Sequence, residues 1–258
     1  MILLMAGTSE GRELAERLYQ LDYDILVTTS SQYGANLLKS EFEQINRGLD
    51  GQEIVRLGLE TGFKLIIDAT HPFALEASKN AQYACEQLNI PYLRLERDSN
   101  NQIEDEKIIK VKDYEGAIKL IEPYRRILLT TGSKELRRYR SLFHDGDKEI
   151  FVRVLPRRAS LEVCWELGVD LDKIIACQGP FSQSFNQTLI RQYRIQVLVS
   201  KESGTRGGVD EKIKAALNCD IPIILIERPG MDYSHQVNNI DQVIAFLEKD
   251  EKYLPKKN

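Results

Sequence analysis

The sequence has few of the residues that build metal or redox sites. Its 258 residues include only four cysteines and three histidines. The cysteines are far apart and form no Cys-x-x-Cys pair; they are Cys85, Cys164, Cys177 and Cys219. This spacing argues against a zinc site or a redox pair, and the histidines offer no zinc-type site either. We therefore expect no protein-bound metal, and we expect four free, buried thiols in a reducing compartment.

A long apolar run and an excess of positive charge are also missing. No stretch approaches the roughly eighteen apolar residues of a membrane span. The apolar segment Met1–Met5 has no basic residue before it and leads directly into a charged helix, unlike a signal peptide. The net charge of −4 argues against a protein that binds nucleic acid or a membrane surface. We therefore expect a cytoplasmic protein with a small-molecule partner.

Residues 65–73, with the sequence LIIDATHPF, combine an apolar run with a polar turn. The run Leu65–Ile67 predicts a buried parallel strand, and apolar residues at helical spacing follow down to Asn89. His71 then lies at a strand-to-helix turn, where open α/β sheets bind ligands. The alternative is that His71 only caps a helix.

The same order of strands and helices occurs twice in the chain. The first half predicts strands at residues 2–5, 24–28, 53–56, 65–68, 92–95 and 107–111, and the second half at 127–129, 149–155, 173–176, 197–200, 221–226 and near 237. Two copies of a unit of about 125 residues are the simplest explanation. We therefore predict an α/β protein with two Rossmann-like doubly wound domains, residues 1–123 and 124–258, with the active site in the cleft between them.

The segment Gly7–Gly11 lies between the first strand and its helix, where backbone N–H groups can hold a pyrophosphate. Its pattern is G-x-x-x-G rather than G-x-G-x-x-G, and a tight turn that needs glycine for its shape would explain it equally well. The second strand is followed by residues 28–32, TTSSQ, with no carboxylate before Glu41. Hydroxyl groups without an acid accept a 2′-phosphate, so the sequence favours NADPH over NADH.

Cations and hydrogen-bond donors follow the strands of the second half. Lys134 opens a helix, Arg153 belongs to a cluster with Arg157 and Arg158, and Lys201 and Arg206 follow a later strand. A cation near a helix N-terminus opposes the helix dipole, so a bound anion explains Lys134 better than helix stability does. A solvated surface is the alternative. These positions indicate a polycarboxylate ligand.

Several strings in the sequence resemble one enzyme family. They are DATHPFA at 68–74, TTGSKEL at 130–136, QGPFS at 178–182, Ser203-Gly204 with Gly207-Gly208, and the segment 221–229. Together they look like the precorrin-6A reductases of cobalamin biosynthesis, and the resemblance extends from Ile2 to about Glu248. It implies an oxidoreductase that adds hydride from a reduced nicotinamide cofactor to a double bond of the corrinoid macrocycle, giving precorrin-6B. In the oxygen-independent pathway the substrate carries cobalt and relatives can prefer NADH.

This resemblance, with the residue pattern, gives a set of candidate site residues. His71 is the candidate catalytic residue, as a proton donor or a hydrogen-bond donor to the substrate, with water as the alternative source of the proton. The candidate cofactor-binding residues are Gly7, Thr8, Ser9, Glu10, Gly11, Thr29, Ser30 and Thr70. The candidate substrate-binding residues are Asp68, Lys134, Gln178, Phe181, Ser182, Lys201 and Arg206. They would bind the acetate and propionate groups of a tetrapyrrole.

Two other kinds of protein fit part of the pattern. A non-catalytic nucleotide sensor could use the same turn at Gly7, but it would not need cations after the strands of the other half. A nucleotide-sugar transferase also has two Rossmann-like halves. It usually has a general base in the first half and a diphosphate site in the second.

Overall fold

The structure, a computed structural model, describes residues 1–29, 38, 41–97, 103–204 and 207–255. The chain forms two compact units, one of residues 1–98 and 230–258 and the other of residues 99–229. Each unit is built on one six-stranded sheet, and all the strand pairs of both sheets are parallel. The predicted α/β class with two Rossmann-like units is therefore confirmed.

Most of the strands are followed by a helix along the chain. The elements up to residue 97 are β1 Ile2–Met5, α1 Ser9–Gln20, β2 Ile25–Thr28, β3 Gln44–Ile45, α2 Gly51–Thr61, β4 Leu65–Asp68, α3 Leu75–Leu88 and β5 Tyr92–Leu95. The next are β6 Ile108–Val111, α4 Tyr114–Ile121, β7 Arg126–Leu129, a 3₁₀ segment Ser133–His144, β8 Glu149–Val154 and α5 Arg158–Glu166. The last are β9 Ile174–Ala176, α6 Gln183–Gln192, β10 Val197–Lys201, α7 Val209–Asn218, β11 Ile223–Ile226, β12 Gln236–Val237 and α8 Ile240–Glu248.

Both sheets have the strand order of a doubly wound fold. The first is β12-β5-β4-β1-β2-β3 and the second is β6-β11-β10-β7-β8-β9. Each corresponds to the order 3-2-1-4-5-6 read from the opposite edge. The strands that follow β1 and β7 are added first on one side of that strand and then on the other, which makes this position the switch point. Ligands bind at such switch points, beyond the carboxyl ends of the strands.

The boundary predicted between residues 123 and 124 differs from this division and must be corrected. Strand β6 precedes that boundary but pairs with β11, with Ile108 opposite Ile223. Strand β12 lies near the end of the chain but pairs with β5, with Gln236 opposite Arg94. The two equivalent strand–helix segments of the repeat are therefore exchanged: each completes the sheet that is formed by the other half of the sequence.

The strand predicted at residues 53–56 is wrong, because these residues lie in helix α2. Asp50 accepts a hydrogen bond from the backbone N–H of Glu53, and the Glu53 carboxylate accepts one from the N–H of Asp50, which forms a capping box. Ile54 and Gly58 are then buried on one face of the helix. The third strand is instead Gln44–Ile45, which pairs with the end of β2.

Apolar side chains cover both faces of the first sheet. Ile2 and Leu4 of β1 belong to one buried cluster, while Leu3 and Met5 belong to another. This two-sided burial explains why the strands appear in the sequence as continuous apolar runs. None of the helices within the described ranges is long and apolar enough to cross a membrane.

The four cysteines are free, but only two of them are buried. Cys85 and Cys164 are buried, whereas Cys177 and Cys219 are half-buried. The expectation of four buried thiols is therefore wrong for the second pair.

Candidate ligand-binding site

Two turns are fixed to each other at the switch point of the first unit. The Thr8 hydroxyl donates a hydrogen bond to the carbonyl of Ala69 (2.9 Å) and accepts one from the N–H of Gly11 (3.0 Å). Thr8 is thus the N-cap of α1 and also connects the β1–α1 turn to the end of β4. This contact holds the turn after β1 beside the turn that carries Thr70 and His71.

The two glycines of the β1–α1 turn have different roles. A Cβ on Gly11 would lie 2.8 Å from Ala6 Cα and 3.1 Å from Ala69 Cβ, so glycine is required there for helix–strand packing. Gly7 is exposed, and its nearest neighbour would be Thr70 Cα at 3.2 Å. The shape requirement is therefore strictest at Gly11 and weaker at Gly7, whose exposed backbone is open to a ligand.

A cavity of about 260 Å³ opens at this edge of the first sheet. At the ends of β1, β2 and β4 it is lined by Met5, Gly7, Thr28, Thr29, Thr70 and His71. The β3–α2 loop and the start of α3 contribute Arg47, Gly48, Leu49, Ala74, Ala77 and Asn80, and Leu3 and Ile54 also line it. The structure thus brings four predicted residues together: Gly7, Thr29, Thr70 and His71. Ser30 lies outside the described residues.

A larger, shallower depression of about 410 Å³ lies along α1. Its lining includes the carboxylates of Glu10, Glu13, Glu16 and Asp241 and the cations Arg17 and Arg97. Because the acids outnumber the bases, we regard the smaller cavity at the strand ends as the better site for a phosphate-bearing cofactor.

The side chains of Ser9 and Glu10 contact other protein groups. The Ser9 hydroxyl donates to the Glu10 carboxylate (2.8 Å), and the same carboxylate lies 3.3 Å from the Arg97 guanidinium. The hydroxyls of Thr8 and Ser9 are therefore already engaged. The structure favours backbone N–H groups of this turn, rather than these side chains, as the donors to a ligand.

Sequence reasoning missed Arg47 and Asn80, which also line the cavity. Arg47 lies two residues after the end of β3 and forms a 2.6 Å ion pair with Glu53. Asn80 donates to the carbonyl of Leu49 (3.3 Å) and so connects α3 to the same loop. The incorrect third strand hid Arg47, because the true strand Gln44–Ile45 places Arg47 at a strand end.

Asp68 is completely buried in a network of donors. Its carboxylate accepts hydrogen bonds from the Thr70 N–H (2.9 Å), the Ser78 hydroxyl (2.5 Å) and the Tyr92 hydroxyl (2.6 Å), and it forms a 2.8 Å ion pair with Arg94. Burial alone would raise the pKa of Asp68, but Arg94 and the three hydrogen bonds hold it below its ordinary value. With no exposed surface, the side chain cannot make the substrate contact predicted for it.

Arg94 extends this network to the turn above it. It donates to the Thr70 hydroxyl (3.2 Å) and forms an ion pair with Glu96 (2.7 Å). Arg94 is therefore a fully buried cation between two carboxylates. The network fixes Thr70 from two sides, through its backbone N–H and through its hydroxyl.

His71 is half-buried and borders the cavity. Its Nδ1 accepts a hydrogen bond from the N–H of Phe73 (3.2 Å), and the two rings lie 5.8 Å apart. In a neutral imidazole that accepts at Nδ1, the proton is on Nε2. His71 therefore stabilises the turn, as in the capping alternative, and also carries an N–H donor on its other nitrogen.

In the second unit, Lys134 and Lys201 lie close to each other. Lys134 is exposed in the first turn of the 3₁₀ segment, and Lys201 ends β10 and forms a 3.5 Å ion pair with Glu135. Burial lowers the pKa of Lys201, and the charges of Lys134 and Arg138 lower it further, although Glu135 opposes them. Arg206 lies outside the described residues.

The loop before α6 carries the remaining predicted residues. Ser182 is the N-cap of α6, where its hydroxyl accepts from the N–H of Phe185 (3.2 Å). The Phe181 ring stacks on Phe185 with centroids 4.9 Å apart, and the guanidinium carbon of Arg153 lies 4.4 Å from the centroid of Phe181. Gln178 is exposed in the same loop.

Sequence reasoning also missed the burial of two cations in this unit. Arg153 had appeared only as part of a basic cluster, and Lys212 lies in a charged helix where an exposed position is the ordinary expectation. Both are more than nine-tenths buried. No signal in the local sequence distinguishes Lys212 from its exposed neighbour Lys214.

Several known proteins are similar to this chain over most of its length. A family model described as "Precorrin-6x reductase CbiJ/CobK" matches residues 1–248. The chain is 39% identical to a cobalt-precorrin-6A reductase of Priestia megaterium, over 96% of this chain and 98% of the relative. It is 36% identical to a cobalt-precorrin-6A reductase of Methanocaldococcus jannaschii (95% and 97%) and 31% identical to a precorrin-6A reductase of Mycobacterium tuberculosis (88% and 88%).

A solved structure shares the fold over almost the whole chain. The structure of "CobK precorrin-6A reductase" has a TM-score of 0.80 and 22% sequence identity, and the alignment covers 99% of both chains. At this identity the likeness supports the architecture, while the family is shown by the sequence matches. The chain belongs to the precorrin-6x reductase family.

Proposed function

We propose that this protein reduces a carbon–carbon double bond of precorrin-6A, or of its cobalt-containing form, to give the 6B form, with NADPH as the reductant. The names of its relatives and its membership of the family support this substrate. The observation that carries the proposal is the cavity at the switch point of the first unit, where Gly7, Thr29, Thr70 and His71 meet. Ligand sites in doubly wound folds occupy this place.

The residues around the cavity fit a dinucleotide. Gly7 is exposed at the start of α1, so backbone N–H groups can approach a pyrophosphate without a side chain between them. Thr28, Thr29 and Arg47 supply hydroxyls and a cation beside the end of β2, and the described residues that line the cavity include no carboxylate. This combination favours the 2′-phosphate of NADPH. Bound NADPH would supply the hydride.

The protein's own task is to hold the reacting groups and to manage a proton. His71 borders the cavity with its Nε2 proton, and we assign it a hydrogen bond or a proton transfer to the substrate beside the reduced carbon. Asp68 acts through other residues, because it fixes Thr70 and thereby the turn that carries His71. We assign the polyanionic substrate to Lys134, Lys201 and the loop Gln178–Ser182 of the second unit.

Replacing Gly7 tests the cofactor site. Gly7→Val should abolish NADPH binding, because a branched side chain would occupy the approach to the pyrophosphate and press on Thr70. The matched control is Gly146→Val, since a Cβ at that turn in the second unit meets no atom within 4 Å. Fluorescence titration should show normal NADPH binding for the control, and circular dichroism should show that both variants fold. Normal binding by Gly7→Val would contradict the cofactor site.

Turnover separates the reductase from a nucleotide sensor. The purified protein with NADPH and cobalt-precorrin-6A should oxidise NADPH in step with loss of the substrate's absorption spectrum. Binding of NADPH without oxidation in the presence of this tetrapyrrole would instead favour the sensor.

A further inference from the structure

Arg153 and Ser200 lie in the same row of the second sheet. Val152 of β8, Leu129 of β7 and Val199 of β10 are paired across the three strands. Arg153 and Ser200 are the residues that come directly after Val152 and Val199 on their strands. Because side chains alternate between the two faces along a strand, both project from the face opposite to Val152 and Val199. That face is covered by α6 and α7, as shown by the apolar cluster that joins Phe151 and Leu198 to both helices.

Arg153 is 7% exposed, and its partners are neutral. One terminal nitrogen donates to the side-chain oxygen of Asn186 on α6 (2.7 Å), and the guanidinium lies over the ring of Phe181. Burial lowers the pKa of Arg153 to about 10. The guanidinium has five N–H donors, so these partners leave most of its hydrogen-bonding capacity unused.

Lys212 of α7 is 8% exposed and meets the same face of the sheet. Its ammonium donates to the Ser200 hydroxyl (3.0 Å), which is also a neutral partner. Burial, together with the nearby charges of Arg153 and Lys201, lowers the pKa of Lys212 to about 7. The charged groups that face Lys212 from the neighbouring strands are thus both cations, Arg153 on β8 and Lys201 on β10.

Three carboxylates of the second unit have other partners. Glu211 accepts from the N–H of Gln183 (2.9 Å), Glu202 lies 3.9 Å from Lys110, and Glu135 is shared by Arg138 and Lys201. Among the described residues, no carboxylate forms an ion pair with Arg153 or Lys212. Two buried cations without a counter-anion are costly for a folded protein, so their retention calls for a role that needs positive charge.

We propose that Arg153 and Lys212 form a buried oxyanion site, and that it binds one carboxylate of the tetrapyrrole substrate. Ser200 and Asn186 hold the two cations on the same face of the sheet. The assignment to the substrate rests on the proposed function. A phosphate of the cofactor has the same oxyanion chemistry, but the position in the second unit, next to Phe181 and Lys201, favours the carboxylate.

Direct binding measurements test the site. Uroporphyrin, a stable tetrapyrrole with acetate and propionate groups, serves as the probe. Arg153→Met and Lys212→Met should each weaken its binding by about ten- to a hundred-fold, the range for a charge-assisted hydrogen bond, while NADPH binding stays the same. Lys214→Met is the matched control, since Lys214 lies on the same helix, is half-exposed and should have no effect. Unchanged uroporphyrin binding in both variants, or loss of NADPH binding instead, would overturn the proposal.

Proton uptake gives a second readout that needs no variant. An anion beside Lys212 raises the pKa of its ammonium, so binding at about pH 8 should take up a proton. Calorimetry in two buffers of different ionisation enthalpy measures this uptake. Lys212→Met should abolish it, and Lys212→Arg, which keeps the charge, should bind uroporphyrin without it. Absence of uptake in the unaltered protein would contradict the site.

The reductase assay keeps this inference separate from the proposed function. If the protein reduces cobalt-precorrin-6A and both variants keep the same KM, the inference fails and the function stands. If the protein does not reduce that substrate but uroporphyrin binding depends on both cations, the function fails and the carboxylate site stands.

Discussion

The two sheets bury charge at the same edge in opposite ways. In the first unit, the buried Arg94 lies between the carboxylates of Asp68 and Glu96. In the second unit, the partners of the buried cations within the described residues are neutral: Asn186 and the Phe181 ring for Arg153, and Ser200 for Lys212. The fold does not require either arrangement, because both units have the same strand order. A balanced network positions a turn, whereas an unbalanced one is suited to bind an anion.

The network around Asp68 in the first unit should lose stability when one of its charges is removed. Asp68→Ala leaves Arg94 buried beside Glu96 alone and removes an acceptor from Thr70, Ser78 and Tyr92. We expect the free energy of unfolding to fall by about 3–5 kcal/mol, as for other broken buried pairs. Urea denaturation measures this loss. Tyr92→Phe removes one hydrogen bond to the carboxylate and should cost less, about 1.5–3 kcal/mol. Equal losses in both variants would show that the ion pair contributes little.

This stabilisation should also depend on pH in a defined direction. The pKa of Asp68 is lower in the folded protein than its ordinary value of 3.8. The contribution is therefore complete above about pH 4 and is lost as the pH falls through the folded-state pKa. The difference in stability between the unaltered protein and Asp68→Ala should accordingly shrink in acid.

The second unit should instead gain stability when the buried charge of Lys212 is removed. Lys212→Met should raise the free energy of unfolding at pH 7 by about 1–4 kcal/mol, because it replaces a poorly compensated buried cation with an apolar side chain of similar length. Lys214→Met should change it by less than about 0.5 kcal/mol. Urea denaturation of both variants makes the comparison. A loss of stability in Lys212→Met would remove the contrast between the two sheets.

The pH dependence of this effect also has a defined sign. The pKa of Lys212 falls from 10.5 to about 7 on folding. Between these values the unfolded chain binds more protons than the folded one, so stability rises with pH. The advantage of Lys212→Met should therefore be largest near pH 7 and below, and should decrease towards pH 10.

Exposed cations should have the smallest effect. Lys134 is exposed in the 3₁₀ segment, where water and salt screen its charge. Lys134→Ala should weaken uroporphyrin binding by only about two- to five-fold, and the effect should vanish in high salt. A loss as large as that of Lys212→Met would show that the second unit binds the anion at its surface rather than inside.

The sequence predicted the parts of the fold that depend on local patterns. The apolar runs of β1, β4 and β10 identified buried strands because both sides of each sheet are covered. Residues 53–56 were misinterpreted, since Ile54 and Val55 alone resemble a strand. The capping box between Asp50 and Glu53 was present in the sequence and could have identified the helix.

The incorrect predictions about the site and the unit boundary share a physical cause. Whether Asp68 faces a ligand depends on Tyr92 and Arg94, which come from another strand. The burial of Lys212 depends likewise on β8 and β10. The repeat showed that β6 and β12 are equivalent, but not which sheet each one joins. Burial and strand pairing between distant segments are not encoded in any local pattern.

The exchange of the last strand and helix affects the order in which the protein can be completed during synthesis. The unit of residues 99–229 is continuous in sequence, so all its strands are synthesised before β12. The other sheet contains β1 to β5, yet it lacks its edge strand until Gln236–Val237 has emerged. Until then the side of β5 that pairs with β12 is an unpaired strand edge, the kind of surface that other chains can join. Nascent chains therefore carry the vulnerable edge on the first unit until β12 covers it.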